Sequence, residues 1–222
     1  MIESITQYFS DFTWVKATDI AGLVLGLIYL WLEFKASIWL WLVSVIMPIV
    51  HGYLYWARGL YADFGMEVYY VLAAVYGYAM WRWVRGRGGN GNNGNKGDNG
   101  NNGEQALERP VTRFPLRRVL PVALIGLALW AVIYWILITF TDSSVPICDS
   151  FTTALSMVAL WALAQKYAEQ WLLWLVVDAV CTVLYIYKQI PFTAGLYAFY
   201  TIMAILGYRQ WLRKMEGSSQ TT

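Results

Sequence analysis

Asp178 stands inside the apolar stretch WLLWLVVDAVCTVLYIY, where an ionised carboxylate costs several kcal/mol unless a charge or a polar group meets it. Trp171, Trp174, Asp178, Thr182 and Tyr185 recur at three- and four-residue spacing, so a helix here sets them on one face. A carboxylate bracketed by indole and phenol rings suits a ligand that is flat and cationic. Charge attraction, stacking and cation–π contact would all act on it. The simpler alternative is a carboxylate that packs one helix on another and is satisfied by a Tyr or Trp donor.

The preceding stretch, DSFTTALSMVALWALAQK, carries Thr152, Thr153, Ser156, Trp161 and Gln165. Trp161 and Gln165 lie one helical turn apart and pair a stacking surface with an amide that both donates and accepts. Ser and Thr in membrane helices commonly bond their own backbone or hold helices together, so each hydroxyl has an equal structural reading. Pro48 interrupts the apolar run WLWLVSVIMPIV; proline removes a backbone donor and kinks a helix, which suits a gate. His51, Ser44 and Glu67 are the other polar groups near that depth, and Glu33 with Lys35 reads as a solvated turn.

Two absences narrow the chemistry. The apolar runs hold no cluster of Lys or Arg, so a phosphorylated ligand would find no counter-charge. The sequence also holds no His/Cys metal-ligand set and no nucleophile with a supporting base. An enzyme is not expected, nor a metal, a cofactor or a nucleic-acid partner.

The elements that position these residues follow from composition. The chain has 222 residues, of which 59% are hydrophobic and 14% charged. The charges are clustered, leaving apolar runs near the roughly 20 residues that cross a bilayer as a helix. Seven such runs are read, at about 19–34, 37–56, 64–83, 118–140, 149–165, 170–187 and 191–212. They are apolar nearly all round, which is the pattern of membrane helices rather than of surface helices.

A shift of 130 positions lays residues 19–83 on 149–213 without a gap. Asp19 falls on Asp149, Trp31 on Trp161, Trp41 on Trp171, Tyr55 on Tyr185, Gly65 on Gly195 and Trp81 on Trp211, among 15 identities in 65 pairs. Three Trp–Trp matches in one register exceed chance, which predicts well under one. Three spans per copy, with one inverting span between them, return the second copy to the orientation of the first. That is the parallel-repeat plan of small-solute carriers.

The expected domains are therefore an outer-surface segment (1–18), a first three-helix repeat (19–83), a disordered Gly/Asn-rich linker (84–117), the inverting helix (118–140), a second repeat (149–213) and a tail (214–222). The tract GRGGNGNNGNKGDNGNNG has no apolar side chain to bury and reads as a tether. Of the 16 Lys and Arg, only Lys16, Arg58 and Lys188 fall on the side of the N-terminus. The positive-inside rule then places the N-terminus outside and the C-terminus in the cytoplasm. Cys148 and Cys181 read as unpaired, and residues 1–18 lack the basic start of a cleavable signal.

WLLWLVVDAVCTVLYIYK, followed by LYAFYTIMAILGYRQW, resembles the PnuC family of bacterial vitamin transporters, and the GYRQW ending is the most specific part. DSFTTALSMVALWALAQK resembles that family's fifth helix. The resemblance covers nearly all of the apolar part and implies an all-α 3+1+3 fold related to the SWEET sugar transporters. It also implies uptake of nicotinamide riboside across the bacterial inner membrane by facilitated diffusion, in a homo-oligomer such as a trimer. Trp174 and Trp161 would stack on the pyridinium, Asp178 would meet its charge, and Gln165, Thr152 and Thr153 would read amide or hydroxyls. Thiamine is also a flat cation, so Asp178 alone does not separate the two. A carrier of another vitamin or of a neutral sugar, and a receptor that moves nothing, remain as alternatives.

Overall fold

The computed structural model describes residues 24–57, 61–83, 110–141, 145–189 and 191–219. The outer-surface segment, the Gly/Asn tract and the side chain of His51 lie outside them. Seven α-helices are found among the described residues: α1 (Val24–Phe34), α2 (Trp39–Ala57), α3 (Tyr61–Trp83), α4 (Val119–Phe140), α5 (Pro146–Ala164), α6 (Gln170–Tyr187) and α7 (Pro191–Ser219). A short 3-10 turn, Leu116–Arg118, leads into α4. The described chain is all-helical apart from one isolated bridge between Thr112 and Tyr167.

Three described stretches are long and apolar enough to cross a bilayer: Leu116–Phe140, Pro146–Ala164 and Gln170–Tyr187. Val24–Phe34 and Trp39–Val50 are shorter apolar helices. α4 has no buried residue at all. Leu120, Leu124, Ile125, Val132, Trp135 and Phe140 are among its large apolar side chains left exposed, as on a helix facing hydrocarbon.

The chain forms two compact units, residues 1–76 and 77–222. In the first, α2 runs unbroken through the half-buried Pro48. Its Gly52 approaches α3 closely enough that an added Cβ would lie 3.6 Å from the Glu67 Cβ. Trp56 meets Phe64 edge-on at 5.1 Å.

In the second unit α4 packs on α5, α5 on α6 and α6 on α7. Trp130 donates its indole N–H to Ser150 Oγ at 3.0 Å, and its ring meets Phe151 edge-on. This polar contact joins α4 to α5 where lipid would offer no hydrophobic drive. α6 and α7 are joined by two ring pairs: Tyr185 stacks on Tyr197 at 5.2 Å, and Trp171 meets Trp211 at 87°. Gly207 makes the second pair possible, since a Cβ there would lie 2.6 Å from the Trp171 ring.

The α1–α2 and α5–α6 turns are built alike. After α1, Ser37 N–H donates to Leu32 O at 2.9 Å and Ala36 N–H to Glu33 O at 2.8 Å. After α5, Tyr167 N–H donates to Ala162 O at 3.0 Å and Lys166 N–H to Leu163 O at 2.8 Å. Both pairs form the Schellman stop of a helix, and they stand 130 positions apart.

Two boundaries differ from the expectation drawn from the sequence. α7 continues to Ser219, past the end of its apolar run, because Arg213, Lys214 and Glu216 end a span without ending a helix. Residues 110–117 are not part of a free tether. Thr112 N–H donates to Lys166 O and Ala168 N–H to Thr112 O, both at 3.0 Å. Phe114 N–H donates to Glu169 Oε2 at 2.7 Å, and Arg118 Nη1 to the Tyr167 hydroxyl at 3.0 Å. This strap crosses the α5–α6 turn before the chain enters α4.

Candidate functional site

Helix α6 carries Asp178, Trp171, Trp174 and Tyr185 of the candidate residues. Its first half, QWLLWLVVD, contains no helix breaker, and its N-terminus follows directly on the turn that stops α5. Asp178 lies in the middle of α6 and is 6% exposed. No cation pairs with its carboxylate among the described residues. Tyr197 and Tyr200 of α7 lie within its electrostatic reach, and so does Cys181 one turn along α6.

Trp174 sits one turn before Asp178. Its ring is half-buried, and its Nε1 is fully buried without a hydrogen-bond partner among the described residues. Trp171 is 2% exposed and its ring is taken up by packing on Gly207 and Trp211. Tyr185 is held flat against Tyr197, with Lys188 Nζ 6.0 Å from its ring.

On α5 the hydroxyl protons of Thr152 and Thr153 are already committed. Thr152 Oγ1 donates to Cys148 O at 3.0 Å, and Thr153 Oγ1 to Asp149 O at 2.7 Å. On α6, Thr182 likewise donates to Asp178 O at 2.7 Å. Such back-bonded hydroxyls keep lone pairs and so can only accept from a ligand. The Thr152 side chain lies within electrostatic reach of the Cys181 thiol, so it faces α6. Ser156 is half-buried one turn further along α5.

Trp161 is half-buried at the far end of α5, edge-on to Phe114 at 6.3 Å and tilted against Tyr167 at 6.0 Å. Gln165 caps α5 and is 7% exposed. Pro48 belongs to the first unit. The structure thus brings the α5 and α6 candidates onto packed neighbouring helices, with Trp171 turned to α7.

Several residues escaped the sequence reading. Phe114 and Glu169 fix the strap beside Trp161. Lys166, only 3% exposed, sets its Nζ 3.9 Å over the Trp81 ring, whose Nε1 donates to Leu163 O at 3.1 Å. Gln170, at the start of α6, is entirely buried with both amide atoms lacking a partner among the described residues. The Trp81 and Trp211 match of the repeat was the one signal for any of these. The others rest on partners far away in sequence.

Where α5 begins and α6 ends, Lys188 Nζ lies 3.4 Å from Asp149 Oδ1. Both side chains are about one-third exposed (28% and 32%).

The family described as "Nicotinamide mononucleotide transporter" matches residues 16–213. The chain belongs to that family. It is a membrane transporter, with helices α4, α5 and α6 of spanning length and composition. Among relatives of this family, the "Nicotinamide riboside transporter PnuC" of Escherichia coli (strain K12) is 24% identical over 215 residues, which is 91% of this chain and 86% of that one. The "Riboflavin/roseoflavin transporter RibM" of Streptomyces davaonensis is 25% identical over 194 residues, covering 87% and 84%. A crystal structure of the vitamin B3 transporter PnuC shares the fold with a TM-score of 0.60 at 23% identity, covering 87% of this chain and 79% of that one.

Proposed function

We propose that the chain takes up nicotinamide riboside by facilitated diffusion, binding it beside Asp178. The observation that carries this reading is a buried carboxylate with no cationic partner among the described residues, one turn from a half-buried indole whose Nε1 is unpartnered among them. A pyridinium on a ribose supplies both the missing charge and a flat face for the ring. Trp174 and Trp161 stack on it and Asp178 balances its charge. Gln165, Thr152, Thr153 and Ser156 read its amide or its hydroxyls, while Trp171 and Tyr185 hold the helix face in place.

The mononucleotide in the family's description fits less well. The helical stretches 39–57, 61–81, 119–140, 146–164, 170–187 and 191–208 hold no Lys or Arg to face a phosphate. The likeness to a riboflavin carrier favours a second reading, a neutral flat vitamin that needs no counter-ion. Thiamine and a neutral sugar are the further alternatives.

In this reading all seven helices span the inner membrane of a bacterium as two parallel three-helix repeats, with α4 between them and the basic loops in the cytoplasm. The recurrence of one turn geometry after α1 and α5 supports the repeat. Rocking of one repeat against the other exposes the site alternately, Pro48 being the hinge of the first, and the protein works as a homo-oligomer.

Titration of the purified protein followed by Trp fluorescence tests the substrate. Saturable quenching by nicotinamide riboside, absent with the mononucleotide at equal concentration, is expected. Quenching by the mononucleotide or by riboflavin alone would discard the riboside.

A further inference from the structure

We propose that Gln170 reads the carboxamide of the ligand and so decides between an amide and an acid at that end. The inference rests on the substrate reading above and adds a residue to it.

Gln170 has none of its surface exposed, and neither Nε2 nor Oε1 has a hydrogen-bond partner among the described residues. An amide buried in that way costs about 1–3 kcal/mol for each group left unmet. The fold does not require it. The shift of 130 places Gln170 on Leu40, which is also 0% exposed. The backbone there is the same: Leu40 N–H donates to Ser37 O and Gln170 N–H to Tyr167 O, both at 3.2 Å. One repeat fills the position with an apolar side chain of similar size, and the other places an unpartnered amide in it.

The amide is also in register with the site. Gln170, Trp174 and Asp178 stand four residues apart and share one face of α6, with rows about 6 Å apart along the axis. Trp174 Nε1 is the next unpartnered polar atom along that row. The stripe therefore presents an amide, an indole and a carboxylate in sequence. Nicotinamide riboside presents a carboxamide, a flat ring and the charged ring nitrogen that carries the ribose in the matching order.

Gln170 Oε1 accepts from the ligand's NH2 while Nε2 donates to its carbonyl, which satisfies both groups on each side. A carboxylate in the same place has no proton to give and would leave Oε1 facing negative oxygen. Discrimination by a buried polar group of this kind is far sharper than discrimination by shape.

The test compares nicotinamide riboside with nicotinic acid riboside on the full-length purified protein and its Gln170→Leu variant, with the ligand-free melting temperature measured beside binding. Leu40 argues that the leucine form folds, and Gln170→Met repeats the test with a flexible side chain. Wild type should prefer the amide. Q170L should lose roughly ten- to a hundredfold in Kd for the amide, lose little for the acid, and melt no lower without ligand. Unchanged binding of the amide, equal losses for both ligands, or a lower melting temperature in both variants would overturn the role of Gln170 and leave the substrate standing. A wild-type protein that binds neither riboside would overturn the substrate and this inference together.

Discussion

Ala36 and Lys166 stand 130 positions apart, and both adopt φ of 53°. Non-glycine residues seldom take this left-handed conformation. Each occupies the same place in a Schellman stop, after α1 and after α5, although their side chains differ in size and charge. The two turns thus match in backbone geometry, beside the Trp spacing that the 130-position shift shows. This match explains why Leu40 and Gln170 can be compared position for position.

Gly207 sets the spacing of α6 and α7. Gly207→Ala would drive a Cβ against the Trp171 ring, with a helix backbone on one side and a buried indole on the other. The variant should be less stable by about 1–3 kcal/mol, read as a lower melting temperature in detergent. Shrinking the ring with Trp171→Leu in the same chain should recover part of that loss. A G207A protein that melts with wild type would mean that the helices have room this structure does not give them.

Asp178→Asn should weaken binding of the cationic riboside by about ten- to a hundredfold, the loss of a charge attraction across a partly desolvated site, while insertion into the membrane is preserved. A neutral vitamin or sugar would be bound equally by both forms. Equal riboside affinity in the variant would remove Asp178 as counter-ion.

Trp174→Ala should lose roughly 1–2 kcal/mol of binding if the indole lies over a desolvated cation. Trp174→Phe should keep part of it, because a phenyl face attracts the same charge less strongly. Isothermal titration of the purified variants gives the numbers, and an alanine form that binds like wild type excludes the ring from the site.

Glu169 latches the strap through the Phe114 amide at 2.7 Å, with Arg113 Nη1 3.8 Å from the other carboxylate oxygen. Glu169→Ala should raise hydrogen exchange at Phe114 by about tenfold or more, as expected for losing a bond to a charged acceptor. Glu169→Gln, which keeps an acceptor oxygen, should raise it less. Equal protection in all three proteins would mean that the bonds of Thr112 and Arg118 hold the strap without Glu169.

Much of this arrangement can be read from residue types and spacing. The bounds of α6, 170–187, follow from the polar turn before Gln170 and from Lys188 after Tyr187. The face carrying Trp174 and Asp178 follows from periodicity. What escapes a linear reading depends on distant partners: the strap at 110–117 is fixed by Lys166 and Glu169, about 55 positions away. Gln170 opens its apolar run directly after the polar Lys166 and Glu169, and only its full burial sets its side chain apart from theirs. Trp171 shares a helical face with Trp174 in sequence, yet a glycine on α7 draws it into packing.

Uptake of labelled nicotinamide riboside into proteoliposomes holding only this protein, with no ion gradient, tests the central claim most directly. The account predicts uptake that equilibrates and is blocked by excess unlabelled riboside, but not by thiamine, riboflavin or nicotinamide mononucleotide. Failure to take up the riboside, or uptake blocked by one of those other compounds and not by the riboside, would contradict it.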